Sequence, residues 1–349
     1  MTVTLTDREQ QVLEAVVRNY IMSAQPTGSR FLSKQEGFSL SAATIRNVMG
    51  DLEEKGYIDQ PHTSAGRVPT DRGYRYYVDN MMRLSELPLD TRNRIFSIIK
   101  DADHTDLHLV MDATSRALSM VTNQLGIILA PRLKKGIFRH IHIFPIDARR
   151  CMLHLTIDEG FVRTMSVELE SPLEGERLRD VCDLVNQRFF GLSLEQMCRT
   201  GDAVFGDVPE YDFRVIRLFI PSIKKLLDAD EEGELHADGT TNIVTQPEFF
   251  GNEQLGAVLE VLGEKKMLMH LFRSAPPERP GSSEKQVLVS IGGENKNGLF
   301  ESFSVLKTTY RVGHLDGTLG VLGPKRMPYP FLVAAVDYTA RVLEDLSQV

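Results

Sequence analysis

The chain contains no tryptophan, only three cysteines and no long apolar run. Cys151, Cys182 and Cys198 are odd in number and lack CxxC or metal-type spacing, which is typical of reduced thiols and disfavours a disulfide framework. No apolar run reaches the roughly 18 residues needed to span a bilayer. The first residues, MTVTLTDREQ, do not resemble a targeting segment. We therefore expect a cytoplasmic protein without a membrane partner.

Acidic residues outnumber basic ones, 48 to 40, so the chain as a whole carries a formal net charge of −8. Residues 1–83, however, contain ten basic and ten acidic side chains, so the rest of the chain carries the entire negative excess. The 349 residues, with 42% hydrophobic and 25% charged content, are typical of a globular protein of two or three domains. The first segment is therefore electrostatically distinct from the remainder.

The segment from Ser41 to Gly56 has a clear helical pattern. Ser41 is a favoured N-cap residue, and Gly56 stands where a left-handed residue would end the helix. The apolar residues between them follow i, i+3, i+4, i+7 spacing: Ile45, Val48, Met49 and Leu52. This pattern predicts a helix with one face committed to a core.

The opposite face of this helix is small and polar. It presents Ala43, Asn47 and Gly50, flanked by Thr44 and Arg46. Small residues allow a helix to approach a surface closely, and Asn and Arg are side chains that read adenine and guanine edges in a major groove. The acidic residues of the helix lie in its C-terminal half, where phosphate would repel them. The N-terminal half is therefore suited to touch DNA, as recognition helices do.

A short hairpin is predicted directly after the helix. Tyr57–Gln60 and Arg67–Pro69 are strand candidates, and Pro61–Gly66 is a polar tip between them. A tip rich in hydroxyl groups suits contact with backbone phosphates or a minor groove. In the helix that follows, we expect Tyr74 and Tyr77 to face the core and not DNA, because of their spacing. A helix followed by a hairpin is the arrangement of a winged helix.

The run Leu40–Asp79, LSAATIRNVMGDLEEKGYIDQPHTSAGRVPTDRGYRYYVD, resembles the heat-inducible transcription repressor HrcA of bacteria. The resemblance is long and nearly free of gaps. Two later stretches agree with it, DGTTNIVTQPEF (Asp238–Phe249) and GTLGVLGPKRMPY (Gly317–Tyr329), so it extends over the whole chain. It implies a repressor of chaperone genes that binds an inverted-repeat DNA operator as a homodimer, with its activity maintained by the chaperonin GroEL.

The predicted fold class is α+β with several domains. The apolar pattern changes from helical to alternating at Gly126, becomes helical again from Leu173 to Leu227, and returns to strands from Val287. The resemblance implies an N-terminal winged helix-turn-helix and a GAF-like antiparallel sheet domain, interrupted by an inserted, mostly helical dimerisation domain. We place the winged helix at 1–84, a helical linker at 85–104, the GAF-like domain at 105–171 and 247–349, and the insert at 172–246.

The predicted DNA-binding residues lie on the recognition helix, on the hairpin and just after it: Ser41, Thr44, Arg46, Asn47, Thr63, Ser64, Arg67, Arg72 and Arg75. On the helix, Thr44 and Asn47 would contact bases and Arg46 would read guanine or grip a phosphate. Ser41 and the amides at the helix start would hold a phosphate. Thr63, Ser64 and Arg67 of the hairpin would touch the adjacent DNA backbone or minor groove. Arg72 and Arg75 would strengthen the positive electrostatic potential near the DNA. Because residues 1–83 are neutral, we expect modest affinity per protomer and a need to pair protomers.

Two possible metal sites are discounted from the sequence. His140 and His142 share a strand face and His154 lies in the next strand, but no thiol or carboxylate has zinc-ligand spacing. Residues 228–233 resemble the first half of a calcium loop, but Gly239 stands where the bidentate acid belongs. We therefore predict no metal and no cofactor.

Nothing in the sequence supports an enzyme, since GxSxG and a recognisable Cys/His pairing are both absent. Two alternatives remain. One is a winged-helix regulator controlled by a small ligand in the GAF-like domain, which a large polar pocket would favour. The other is an enzyme body fused to a DNA anchor, which would require acids, histidines or a metal converging in one cleft.

Overall fold

A computed structural model of the chain describes residues 5–35, 38, 40–62, 65–103, 106–131, 133–147, 149–157, 162–168, 175–205, 224, 234–273, 287–313 and 315–346. It confirms a mixed fold of helices and antiparallel sheets. The helices are α1 (Asp7–Ser23), α2 (Ser29–Leu32), α3 (Ala42–Glu54), α4 (Asp71–Tyr76), α5 (Leu89–Lys100), α6 (Leu107–Thr122), α7 (Gly175–Phe189), α8 (Leu194–Thr200), α9 (Thr240–Val244), α10 (Asn252–Gly263), α11 (Lys265–Arg273) and α12 (Tyr329–Leu346). The strands are β1 (Ile58–Asp59), β2 (Val68–Pro69), β3 (Leu125–Leu129), β4 (Phe138–Pro145), β5 (Arg150–Ile157), β6 (Val162–Glu168), β7 (Leu235–Asp238), β8 (Leu288–Ile291), β9 (Phe303–Val312) and β10 (Leu315–Pro324).

Helices α1 to α4 and the β1–β2 hairpin form the N-terminal unit, residues 5–81. Helices α1, α3 and α4 begin where the sequence supplies a capping side chain. Thr6 and Glu9 complete a capping box at the start of α1, and the Thr70 hydroxyl accepts from the amide of Gly73 at the start of α4. One turn of π-helix, Tyr77–Met81, continues α4. Tyr74 and Tyr77 are 2% and 4% exposed, which confirms that they are core residues.

The remaining residues, 87–346, form the body, whose main element is a five-stranded antiparallel sheet. Its strand order is β7-β3-β10-β9-β8. Side chains alternate between the two faces of a strand, so in β3 Ile128 joins one buried cluster and Ile127 joins another. Helices α5, α6 and α12 cover the first face. Helices α9, α10 and α11 supply apolar side chains to the second face.

A second sheet contains β4, β5 and β6 in that order and has a core of its own. Its apolar residues pack with α7 and α8, as Phe138 does with Phe189. We predict these three strands in the GAF-like domain and an insert that begins at residue 172. In the structure β3 pairs directly with β7, with Ile127 opposite Ala237, and β4, β5 and β6 belong to a separate sheet. An insert that begins near residue 130 is also consistent with this pairing, so the position of the boundary stays a prediction.

The segment 85–104, expected to be a helical linker, is helical but not separate from the body. Ile95 and Ile99 of α5 are fully buried in the same cluster as α6 and α12. That cluster also includes residues of α1, α3 and α4, so apolar packing is continuous from the N-terminal unit into the body. Across the described ranges, no helix combines the length and apolar character needed to cross a bilayer.

Candidate nucleic-acid interface

Helix α3 has the cap and the buried face that the sequence predicts. The Ser41 hydroxyl accepts a hydrogen bond from the amide of Thr44 at 3.1 Å and lies 2.9 Å from the Thr44 hydroxyl. Gly56, just beyond the helix, has φ of +74°, the left-handed conformation expected of it. The buried residues are those of the predicted stripe: Ile45, Val48, Met49 and Leu52. Core packing therefore fixes which face of α3 points outward.

The outward face of α3 is composed of short and polar side chains. Ala43, Arg46 and Asn47 are exposed, and Thr44 and Gly50 are half-exposed. A Cβ added at Gly50 would meet nothing within 4 Å, so internal packing does not require a glycine in this position. Glycine inside a helix costs about 0.5–1 kcal/mol relative to alanine. The absence of a side chain at Gly50 leaves this part of the outward face flat and open. Such a face allows another molecule to approach the helix closely.

The β1–β2 hairpin packs beside α3 and is held by local contacts. Ile58 pairs with Pro69 and Asp59 with Val68. Just before β2, Arg67 and Thr27 exchange backbone hydrogen bonds of 2.8 and 2.9 Å. Thr63 and Ser64, predicted to contact DNA from the tip, lie outside the described residues.

Arg67 is engaged within the N-terminal unit. Its Nη2 and Nε lie 2.7 and 3.0 Å from Oε2 of Glu53, and its side chain is 20% exposed. Glu53 belongs to the C-terminal half of α3. The Arg67 side chain therefore ties the hairpin to α3, and its charge is partly offset before any DNA approaches.

Arg72 and Arg75 are also engaged with other parts of the chain. Arg72 donates to the backbone oxygen of Lys55 at 2.7 Å and covers the Tyr57 ring at 4.5 Å, so it supports the C-terminal end of α3. Arg75 donates to Oε1 and Oε2 of Glu294 at 2.8 and 2.5 Å and to the Val289 carbonyl at 2.6 Å. Glu294 and Val289 both belong to the body, so this side chain lies at the junction of the two units.

The electrostatic environment of Arg75 follows from this junction. Burial acts to lower the pKa of its guanidinium. The hydrogen bonds to Glu294 and the nearby carboxylate of Asp79 outweigh burial and raise the pKa of Arg75 above its ordinary value. Arg75 is thus a fixed cation in an ion-pair network, with its charge directed at the body.

Three other cations are better placed to meet phosphates. Arg46 on α3, Arg30 on α2 and Lys34 just after α2 are all exposed. Among the described residues, none of the three has an acid within salt-bridge distance. Sequence reasoning identified Arg46 but missed the other two. The available signal was two cations four residues apart in the short segment preceding the recognition helix.

A buried ion pair fixes α3 against α1. The Lys55 ammonium, at the C-terminal end of α3, lies 2.5 Å from Oε1 of Glu9, which is 6% exposed. The hydrogen bond from Lys55 lowers the pKa of Glu9, and the bond from the Thr6 amide acts in the same direction against the effect of burial. The orientation of α3 is therefore set at its N-terminal end by a cap and at its C-terminal end by charge.

Comparisons with known proteins agree over nearly the full chain. A family model described as the HrcA protein C terminal domain matches residues 108–333. The heat-inducible transcription repressor HrcA of Chlorobium phaeobacteroides (strain BS1) is 38% identical over 341 residues, which cover 96% of each chain. The protein of the same name from Geobacter sulfurreducens is 35% identical over 344 residues, 98% of each chain.

The chain belongs to the HrcA family. A solved crystal structure described as that of a hypothetical protein covers 99% of both chains with a TM-score of 0.62. Its sequence identity of 22% means that this similarity shows a shared fold and nothing further.

The two later stretches that resemble HrcA meet the N-terminal unit in the structure. Arg326 forms a two-contact ion pair with Glu248, and its Nη2 donates to Oε1 of Gln246 at 3.2 Å. Its Nη1 donates to the Ile21 carbonyl near the end of α1 at 2.8 Å. Both HrcA-like stretches thus combine with α1 in one polar contact, which sequence inspection did not anticipate.

Asp71, the first residue of α4, makes a further polar contact at this junction. Its carboxylate lies 2.6 Å from the Lys325 ammonium and accepts from the amide of Gly293 at 3.1 Å. The neighbouring Gly292 has φ of +54°, and an added Cβ would lie 2.0 Å from Oδ2 of Asp71. The glycine at this position is therefore required both by backbone conformation and by the close approach of Asp71. In this HrcA-family chain, the start of α4 is thus held against the body.

Of the two metal sites discounted from the sequence, the structure describes the histidines of β4 and β5. His142 lies opposite His154 across β4 and β5, and the rings of His140 and His142 are 4.1 Å apart. Burial lowers the pKa of His140, with a further contribution from His142. The calcium-like run at 228–233 lies outside the described residues.

Proposed function

We propose that this chain is a heat-inducible transcription repressor whose N-terminal unit is a winged helix, with α3 as the recognition helix. The observation that carries the proposal is the division of α3 into two faces. One face is locked into the core, and the other presents Ala43, Asn47 and Arg46 to solvent. Recognition helices that enter a major groove require this combination of a fixed orientation and an exposed polar N-terminal half.

We further propose that the protein acts as a homodimer on an inverted-repeat operator. Residues 1–83 are electrically neutral, so a single unit has little phosphate attraction to add to its base contacts. Two units related by a twofold axis would place their α3 helices in successive major grooves, with half-site centres about 10 bp or a multiple apart. We propose that the body is a GAF-like sheet domain with an inserted dimerising segment. This body would set the distance between the two α3 helices.

The proposed contacts are divided between bases and phosphates. Thr44 and Asn47 read bases, Arg46 reads guanine or a phosphate, and Ser41 with the first amides of α3 holds a phosphate. In the proposed complex, the tip of the hairpin contacts the adjacent DNA backbone, and Arg67 fixes the position of the hairpin. We add Arg30 and Lys34 as phosphate contacts, because both are exposed and precede α3. Arg72 and Arg75 act by holding α3 and the junction in place.

Replacing Asn47 with alanine tests the base-reading role. We expect operator affinity to fall by about 1–3 kcal/mol, with relaxed preference at one base position. Alanine is the better helix former, so the free energy of unfolding should not decrease. Binding to the operator and to a panel of single-base variants would be measured at one salt concentration. An equal loss on every sequence would instead assign Asn47 to a phosphate.

We propose that the chaperonin GroEL maintains the active form, as the resemblance to HrcA implies. Chaperonin dependence would make repression lapse when unfolded proteins compete for GroEL after heating. We expect purified repressor to recover operator binding after a heating and cooling cycle only when GroEL is present. Equal recovery with and without GroEL would contradict this part of the proposal.

A regulator controlled by a small ligand receives less support. One cavity of about 390 Å³ lies at the end of β7 and is lined by Ser119, Met120, Asn123, Asp238, Gly239, Thr240, Thr241 and Asn242. Its lining is mostly polar, as this alternative requires, since only Met120 of the eight residues has a large apolar side chain. Its volume is near the lower end of the roughly 300–1,000 Å³ typical of ligand pockets, so it is not the large pocket that the alternative requires.

A further inference from the structure

We propose that the body holds a divalent metal site formed by His108, Glu234 and His236, with Zn²⁺ as its expected occupant. His108 is the second residue of α6, Glu234 directly precedes the edge strand β7, and His236 lies within β7. The ligand atoms of the three side chains all lie within 4.8 Å of one another. We call these three residues the His-Glu-His cluster.

The decisive observation is the buried ring of His236. The residue is 8% exposed, and its Nε2 is buried without a hydrogen-bond partner among the residues that the structure describes. The acid nearest to that nitrogen in the cluster is Glu234, whose Oε2 is 3.8 Å away, beyond hydrogen-bonding distance. A buried polar nitrogen without a partner is unfavourable in a folded protein. A metal ion bound to Nε2 would satisfy it.

The other ring nitrogen of His236, Nδ1, has a carboxylate partner that would orient the ring for metal binding. Nδ1 lies 2.6 Å from Oδ1 of Asp112, which is one turn after His108 on α6. A carboxylate on one nitrogen selects the tautomer whose proton is on Nδ1 and leaves the lone pair of Nε2 directed at the metal. Metal-bound histidines almost always have such a carboxylate, carbonyl or water partner.

The distances within the cluster are close to those of a zinc site. Bonds of about 2.0–2.2 Å in a tetrahedral arrangement place ligand atoms about 3.3 Å apart. Nδ1 of His108 lies 3.0 Å from Oε1 of Glu234, and Nε2 of His236 lies 3.8 Å from Oε2. The side chains of His108 and Glu234 are 45% and 40% exposed, so small rotations of these two can close the site.

The donor set selects the class of metal. Two imidazoles and one carboxylate suit Zn²⁺ and its first-row neighbours, whereas Ca²⁺ and Mg²⁺ prefer oxygen ligands throughout. The three ligands leave a fourth position for water. Bound metal would join α6 to the edge strand β7. A hydrogen bond from the Ser119 hydroxyl of α6 to the Asp238 carboxylate of β7 also joins these two elements. We infer that the site stabilises this edge of the body.

Metal binding to the full chain tests the proposal. The protein would be stripped with EDTA, freed of chelator and titrated with Zn²⁺ by calorimetry and with Co²⁺ by visible absorption. We expect one equivalent to bind per chain, with the intense visible bands of four-coordinate Co²⁺. Zn²⁺ should also raise the midpoint of thermal unfolding.

Variants locate the site. The double substitution His108→Gln with Glu234→Gln removes two half-exposed ligands and should weaken binding at least about 100-fold and abolish the thermal shift. Asp112→Asn leaves all three ligands and should weaken binding about 10–100-fold. His154→Gln, on the histidine-bearing face of β4 and β5, is the matched control and should bind like the parent. Equal affinity in the parent and the double variant, or a loss confined to His154→Gln, would overturn the proposal.

Discussion

Substituting glutamate for Ala43 is expected to reduce operator affinity at least about 100-fold, or roughly 3 kcal/mol. Ala43 is exposed in the first turn of α3, at the centre of its outward face. A carboxylate there would meet the phosphates and base edges of a duplex, and the longer side chain would prevent close approach. The same carboxylate is favourable at a helix N-terminus, so the free energy of unfolding should change by less than about 0.5 kcal/mol. Titration of labelled operator and chemical denaturation measure the two quantities.

The control for this substitution is Gln11→Glu. Gln11 is exposed on α1, and the change adds the same charge to the same unit. Its effect on operator affinity should remain within about threefold, because it acts only through the long-range field. If both variants bind operator as the parent does, the outward face of α3 does not enter the groove.

Removal of the Arg326 side chain should destabilise the protein by about 3 kcal/mol. That side chain is 14% exposed and pairs with Glu248, which is 23% exposed. Truncation to alanine leaves the carboxylate without its cation and the Ile21 carbonyl without the donor at 2.8 Å. Breaking a buried pair in this way costs about 3–5 kcal/mol, and partial exposure places this one at the lower end. The midpoint of urea unfolding should fall, and amide exchange at the end of α1 should accelerate.

A double-mutant cycle separates the pair from other effects of truncation. Glu248→Ala alone and together with Arg326→Ala gives the coupling energy, which we expect to exceed about 1 kcal/mol. Arg341→Ala breaks an exposed pair with Asp337 one turn away in α12 and should cost less than about 0.5 kcal/mol. If Arg326→Ala lowers the free energy of unfolding no more than Arg341→Ala does, the junction does not depend on the contact between Arg326 and Glu248.

Helix α3 was predictable because its determinants are local. The cap at Ser41, the apolar stripe and the left-handed Gly56 all lie within sixteen consecutive residues, and helix periodicity assigns them to faces directly. The outward position of Asn47 follows from the same arithmetic. Local sequence therefore sufficed for the part of the molecule that we propose to touch DNA.

The partners of the basic residues were not predictable, because they depend on contacts between distant segments. Arg75 and Glu294 are 219 residues apart, and Asp71 and Lys325 are 254 apart. Nothing in the local pattern distinguishes an arginine that faces a phosphate from one that faces an acid on another domain. The His-Glu-His cluster was missed for the same reason, since Asp112 and His236 are separated by 124 residues.

The boundary of the inserted segment shows a related limit. The alternating patterns of β4, β5 and β6 identify strands, but pairing requires knowing which strands share a sheet. The pairing of Leu129 with Leu235 joins two strands that lie on either side of β4, β5 and β6 in the chain. The three-stranded sheet packs instead with α7 and α8, whose apolar residues share its buried cluster.

Selection of bound sequences from random DNA by the full chain tests whether two α3 helices read an inverted repeat. We expect enrichment of an inverted repeat whose half-site centres lie about 10 bp or a multiple apart, with a defined base preference that Asn47→Ala relaxes at one position. Enrichment of an unpaired site, or recovery of no preferred sequence under conditions where the protein is folded, would contradict it.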